Sequence, residues 1–191
     1  MTRNGPYHHG ALRTALLAAA RQILAEDGAA ALTLRGCARQ AGVSHAAPAH
    51  HFADKTALLT AVAAEGFHEL GASMDRYREA AGDDEQARLQ GVGMGYVAFA
   101  MQQPGTFRLM FGETGLRVDD PEFVAASEAA FGRLADAVRA AASAPPESHA
   151  LQQRMKHAWC VVHGYATLWL TGSLSHKLDV PADADGALDD A

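Results

Sequence analysis

The apolar positions of the chain recur at helical spacing, and the breaks in that spacing divide it into segments. Leu12, Leu16, Ala19, Ala20 and Ile23 form a first stripe on one helix face, and Glu26-Asp27-Gly28 stops it. Thr33 can cap a short helix whose inward positions are Leu34, Cys37 and Ala38, leaving Arg35 and Arg39 outside, one turn apart. Gly42 falls where that helix must end and the chain must turn sharply, a task suited to a residue free at positive φ. Val43 is an apolar plug, and Ser44 can cap a second short helix, SHAAPAHHF. Pro48, the fourth helical position after that cap, denies the cap carbonyl its first helical bond, so the helix is expected to be irregular at its start.

The periodicity continues in longer stretches. Asp54 can cap a helix running through Leu58, Leu59, Val62 and Phe67 toward Tyr77 and ending near Ala81-Gly82. Asp83-Asp84-Glu85 complements the dipole at the start of the next, QARLQGVGMGYVAFAMQQ. Its Gly91, Gly93 and Gly95 each cost on the order of 1 kcal/mol relative to Ala in a helix. Close packing of a neighbouring helix or space for a ligand would account for them, and packing is the favoured account. Pro104 opens a short segment with Phe107, Met110 and Phe111 on one face, and residues 112–121 read as a loop. Phe123, Val124, Phe131, Leu134 and Val138 mark an amphipathic helix, and residues 143–148 a second break. The window AWCVVHGYATLWL that follows is apolar all round, so it should be covered on every side, by its own subunit and by a partner. After Leu178 the chain is polar and should fray, leaving at most a helical stub near 173–178. No segment alternates for a strand's length. The fold class expected is all-α, with an N-terminal domain over 1–56 and a helical body over 57–191.

Composition adds one asymmetry. The apolar share of 49% is ample for a core, and the charged share of 20% is low for a purely monomeric surface. Residues 1–56 carry six Arg and Lys against three Asp and Glu, a net of +3, which leaves −9 of the total −6 for the remainder. His8, His9, His45, His50 and His51 also lie in the basic segment. A basic end on an acidic body suits a protein that presents one surface to a polyanion, although chance clustering on a solvated surface would look the same. Cys37 and Cys160 sit in apolar helical settings and read as small core residues rather than a disulfide. No apolar run spans a bilayer, and MTRNGPYHHG lacks the apolar core of a signal peptide, so no membrane association and a cytoplasmic location are expected.

Two short helices around a glycine turn form a helix-turn-helix, whose second helix enters the major groove in DNA-binding proteins. The order Thr33, Ala41-Gly42-Val43-Ser44, His51-Phe52, Lys55 and Leu58-Leu59, preceded by the first apolar stripe, resembles the DNA-binding domain of the tetracycline-repressor (TetR) family of transcriptional regulators. The resemblance covers about the first third of the chain. One position departs from it: the family carries a phosphate-contacting tyrosine two residues before the His-Phe pair, and here that position is Ala49. Residues 95–112 with Trp159, His163 and Gly164 resemble one C-terminal domain type of these regulators.

The resemblance implies a homodimeric, ligand-responsive repressor that binds a palindromic double-stranded operator. Thr33, Ser44 and Lys55 would hold phosphates, and Arg35 either phosphate or base. His45, Ala46, Ala47 and His50 would face base edges, with His51 near the helix end. A zinc site at the three histidines lacks further converging ligands, so DNA contact is the preferred reading and neither metal nor cofactor is expected. Phe99, Phe107, Met110, Phe111 and Trp159 are first a core. The added possibility is a pocket for a small apolar or amphipathic effector, with His163 as its polar contact rather than a core histidine bonded to a carbonyl. No nucleophile elbow, phosphate loop or metalloprotease motif occurs, so an enzyme is not expected. The alternatives are an effector-independent DNA-binding protein whose body serves only dimerisation, and a small-molecule carrier with a vestigial head.

Overall fold

The computed structural model describes residues 7–112, 115–142 and 148–174, which form helices joined by turns and short loops, with no strand among them. Eight α-helices follow one another: α1 Tyr7–Glu26, α2 Gly28–Ala31, α3 Leu34–Gln40, α4 Lys55–Ala80, α5 Glu85–Gln102, α6 Pro104–Phe111, α7 Pro121–Ala141 and α8 His149–Leu170. A single turn of 3₁₀ helix, Ala47–His50, lies between α3 and α4. The chain folds into two compact units, residues 1–71 with 103–131, and residues 72–102 with 132–191. Contacts thus group the chain differently from a division at residue 56, because α6 and the start of α7 pack with the N-terminal helices.

In the first unit α1 packs against α2, α3 and α6. Leu16, Leu17, Ala20, Leu24, Leu32, Cys37, Ala38, Phe52 and Leu58 are all buried there. Gly105 brings α6 onto α1, since a Cβ at that position would lie 2.7 Å from the Leu24 carbonyl oxygen. Phe67 of α4 meets the rings of Phe111 and Phe123 edge-on, at centroid distances of 5.4 and 5.5 Å. A charged layer covers this core: Arg21 pairs with Glu65 at 2.8 Å and with Glu69, Gln103 donates to Glu69 at 2.6 Å, and Arg13 pairs with Glu122 at 2.8 Å.

The second unit contains the end of α4, α5, the end of α7 and α8. The glycines of α5 are explained there by packing. A Cβ at Gly91 would sit 2.6 Å from the Tyr77 carbonyl oxygen, and one at Gly95 2.7 Å from Met74 Cα. The Ser73 hydroxyl donates to the Gly95 carbonyl at 2.8 Å across this close approach. Gly93 faces α8, with Val162 Cγ1 at 3.3 Å from its would-be Cβ. Helix α8 ends as the chain turns at Gly172, and Ser173 and Leu174 are helical again; the rest of the expected stub, and most of the 143–148 break, lie outside the described residues.

Candidate nucleic-acid interface

Thr33 caps α3 as its position suggests, its hydroxyl oxygen accepting from the Gly36 N–H at 2.9 Å. Gly42, at φ +68°, closes the helix. The Gly42 N–H bonds to the Arg39 carbonyl at 3.2 Å and the Val43 N–H to the Ala38 carbonyl at 3.0 Å, the paired pattern that satisfies the last carbonyls of a helix ending on a left-handed residue. Arg35 and Arg39 are exposed on this helix.

The second helix of the expected pair is not an α-helix. Ser44 does not stand at its N-cap; Ala46 does, without a side-chain bond. The reason lies in Pro48, which has no N–H for the Ser44 carbonyl. That carbonyl accepts instead from Ala47, one residue nearer, at 3.0 Å, which tightens the chain into 3₁₀ geometry. The Pro48 ring is fully buried, and its carbonyl accepts from both His51 and Phe52, at 2.9 and 2.8 Å. The irregularity read at the start of this helix therefore extends over all of it.

With three residues per turn and Pro48 inward, residue 51 also points inward, whereas 47 and 50 share another side. Accordingly His51 is half-buried, its ring centroid 6.4 Å from that of Phe52, while His50 is exposed and Ala47 half-buried. Ser44, His45, Ala46 and Ala49 are exposed as well. Phe52 is 3% exposed and lies under the Arg13 guanidinium, 5.9 Å from its ring centroid.

Lys55 has a structural engagement that its sequence position did not suggest. Its ammonium donates to the carbonyls of Ala29 and Ala30, at 2.8 and 3.3 Å, capping the C-terminal end of α2. Two of its three N–H donors are thereby used. Asp54 caps α4 through the Ala57 N–H at 2.8 Å and also pairs with Arg117 at 2.6 Å.

The six proposed effector contacts divide between the units. Phe107, Met110 and Phe111 belong to the first, where Phe107 and Phe111 lie 4.9 Å apart by ring centroid. Phe99, Trp159 and His163 belong to the second. The Nδ1 of His163 lies 2.9 Å from the hydroxyl of Tyr96, a residue without a role in the sequence pattern. Nothing in the sequence pairs the two, since only the docking of α5 on α8 brings them together. Burial pushes the Tyr96 phenol up, against the opposing hydrogen bond with Trp159, and burial lowers the His163 imidazole. Both cysteines are free, but only Cys37 is a core residue. Cys160 is exposed, because it lies on the outward side of α8 beside Trp159 and Val161. Among the described residues no group of three His, Cys, Asp or Glu side chains could hold a metal ion, and no helix is long and apolar enough to cross a membrane.

Comparison with known proteins agrees with this architecture. Residues 16–62 match the family described as bacterial regulatory proteins, tetR family, and residues 89–191 match the tetracyclin repressor-like C-terminal domain. The HTH-type transcriptional regulator BetI of Stenotrophomonas maltophilia is 38% identical over 80 residues, which are 42% of this chain. That match spans 41% of the length of BetI. A protein of unknown function from Rhodococcus sp. RHA1 is 37% identical with a TM-score of 0.77, over 97% of this chain and 96% of its own. A TetR family transcription regulator from Marinobacter aquaeolei VT8 shares the fold at a TM-score of 0.62 and 20% identity, over 97% of this chain and 93% of its own. With one family match at the helix-turn-helix and another over more than half of its length, the chain belongs to the TetR family of bacterial regulatory proteins.

Proposed function

We propose that the protein is a transcriptional repressor that binds a palindromic DNA operator as a homodimer and is released by a small effector. The observation that carries the DNA reading is the composition and exposure of α3 and the turn after it. No acidic residue occurs between Asp27 and Asp54, and Arg35, Arg39, Ser44, His45 and His50 in that interval are all exposed. Such a surface attracts phosphates and presents nothing that repels them. Residues 1–56 act as the reading head and 57–191 as the effector and dimerisation body, in the cytoplasm where the DNA is.

Within the head, Thr33, Ser44 and Arg35 hold phosphates, joined by the remaining donor of Lys55. His45, Ala46, Ala47 and His50 meet the groove, with His51 behind them. Replacing Arg35 and Arg39 with Ala should weaken binding to every DNA sequence and lower the log–log salt slope by about 1 for each lost phosphate contact. An unchanged slope in gel-shift titrations would remove α3 from the interface.

Two features of the second unit support the dimer. On one face of α8, Val161, Tyr165 and Leu168 are between 45% and 69% exposed, a row of large apolar side chains that the described residues leave uncovered. Gly132 of α7 and Gly164 of α8 have nothing among the described residues within 4 Å of a would-be Cβ, so packing among those residues does not explain them. A second copy laid against this surface would. The effector is a small apolar or amphipathic molecule, for which Phe99, Trp159 and His163 of the second unit are candidate contacts. It acts by favouring a form whose heads are wrongly spaced for the operator.

A further inference from the structure

The segment from Ala41 to Phe52 offers a DNA groove very few hydrogen-bonding side chains. It contains no Arg, Lys, Asn, Gln, Asp or Glu. Every side chain able to grip one base with two hydrogen bonds is therefore missing from the place where a helix-turn-helix reads sequence. Pro48 and Phe52 are buried, and His51 is turned inward by the 3₁₀ spacing. What remains exposed is Ser44, His45 and His50, set among the methyl groups of Ala46 and Ala49. Ser44 already has a role on the backbone in the reading above, which leaves two imidazoles.

We propose that His45 and His50 read purines through N7, so that the operator is specified as purine against pyrimidine at their positions, without distinguishing guanine from adenine. This rests on the operator-binding reading given above. A neutral imidazole has a single N–H donor. In the major groove guanine and adenine share one acceptor, N7, and differ at the neighbouring exocyclic group, where one accepts and the other donates. A guanidinium or a carboxamide covers both positions and so tells the two bases apart; a lone N–H reaching N7 covers only the shared one. A pyrimidine offers no acceptor at the N7 position. The 3₁₀ turn adds to this, because its buried proline fixes the backbone that carries His50 and places His50 on the same side as Ala47, whose methyl group can meet a thymine methyl.

The test begins with selection of bound DNA from a random pool by the full-length protein. Each half-site should contain positions occupied by either purine, with pyrimidines excluded. Replacing those purines by 7-deazapurines should lower wild-type affinity about fivefold per contacted position, the usual worth of one hydrogen bond. The same replacement should leave a His45→Ala, His50→Ala double variant unaffected, with circular dichroism confirming that the variant is folded. His50→Gln should narrow the preference at one position to adenine, since a carboxamide reads N7 and the adenine amino group together. The proposal is overturned by a strict guanine or adenine preference at all half-site purines, by indifference to 7-deazapurines, or by equal losses in wild type and double variant. An unchanged preference in His50→Gln overturns it for His50. A protein that selects no DNA from the pool defeats the operator-binding reading, and this proposal with it.

Discussion

Gly95 is a position where the lack of a side chain sets the distance between two helices. Its would-be Cβ meets Met74 Cα and the Ser73 carbonyl at 2.7 Å, both backbone atoms that cannot rotate away. Gly95→Ala should therefore destabilise the protein by about 1–3 kcal/mol, despite a gain of about 1 kcal/mol in helix propensity, with thermal unfolding as the check. His163 gives a second test at this scale. Burial lowers its folded pKa, so below the ordinary histidine value of about 6.5 the unfolded chain takes up a proton that the folded one resists. Its contribution should be complete above that value and decline as the pH falls through the lowered one. Denaturant titrations between pH 8 and 5 should show a smaller dependence in His163→Gln, and an identical dependence would exclude this residue. Single residues were legible where the cause is local. Thr33 and Asp54 cap the helices that follow them because a cap needs only its own neighbours in sequence. Lys55 and Tyr96 were not, because their partners stand 26 and 67 positions away.

At the scale of elements, the turn between α3 and α4 shows propensity and packing acting together. Its alanines would favour an α-helix, and one proline suffices to prevent it. Pro48→Ala restores the missing N–H, so the Ser44 carbonyl can accept from residue 48 and the segment should gain a turn of α-helix. NMR chemical shifts for residues 44–52 should move toward helical values, and shifts unchanged from wild type would mean that burial rather than the missing donor holds the turn. The sequence located most helices by their apolar period and their breaks, and Pro48 announced a disturbance at the right place. It did not reveal α2, where Gly-Ala-Ala-Ala has no period to read and the helix is held at its end by Lys55. Nor did it reveal that α6 packs on α1, a contact that requires Gly105 to be seen against Leu24.

At the scale of the whole molecule, the proposed dimer follows from what α8 leaves uncovered. Tyr165, 45% exposed and stacked on Trp169 at 6.3 Å, is the natural anchor. Tyr165→Asp should yield monomers in sedimentation and abolish tight operator binding, because one head alone reads few bases, while two heads about 34 Å apart read a palindrome. Gly164→Ala should weaken association as well, although its own subunit has room for the methyl group; full association in both variants would place the interface elsewhere. The apolar window was legible as a face in need of cover, whereas the grouping of the chain was not, since it depends on contacts between distant segments. That grouping has a consequence for biosynthesis. Each compact unit is assembled from two separate stretches, and the one holding the turn between α3 and α4 ends only at Phe131. A polypeptide emerging from the ribosome thus makes the turn between α3 and α4 early, yet must wait for some eighty more residues before α6 and the start of α7 complete its support. The other unit, begun at residue 72, cannot close until α8 has been translated.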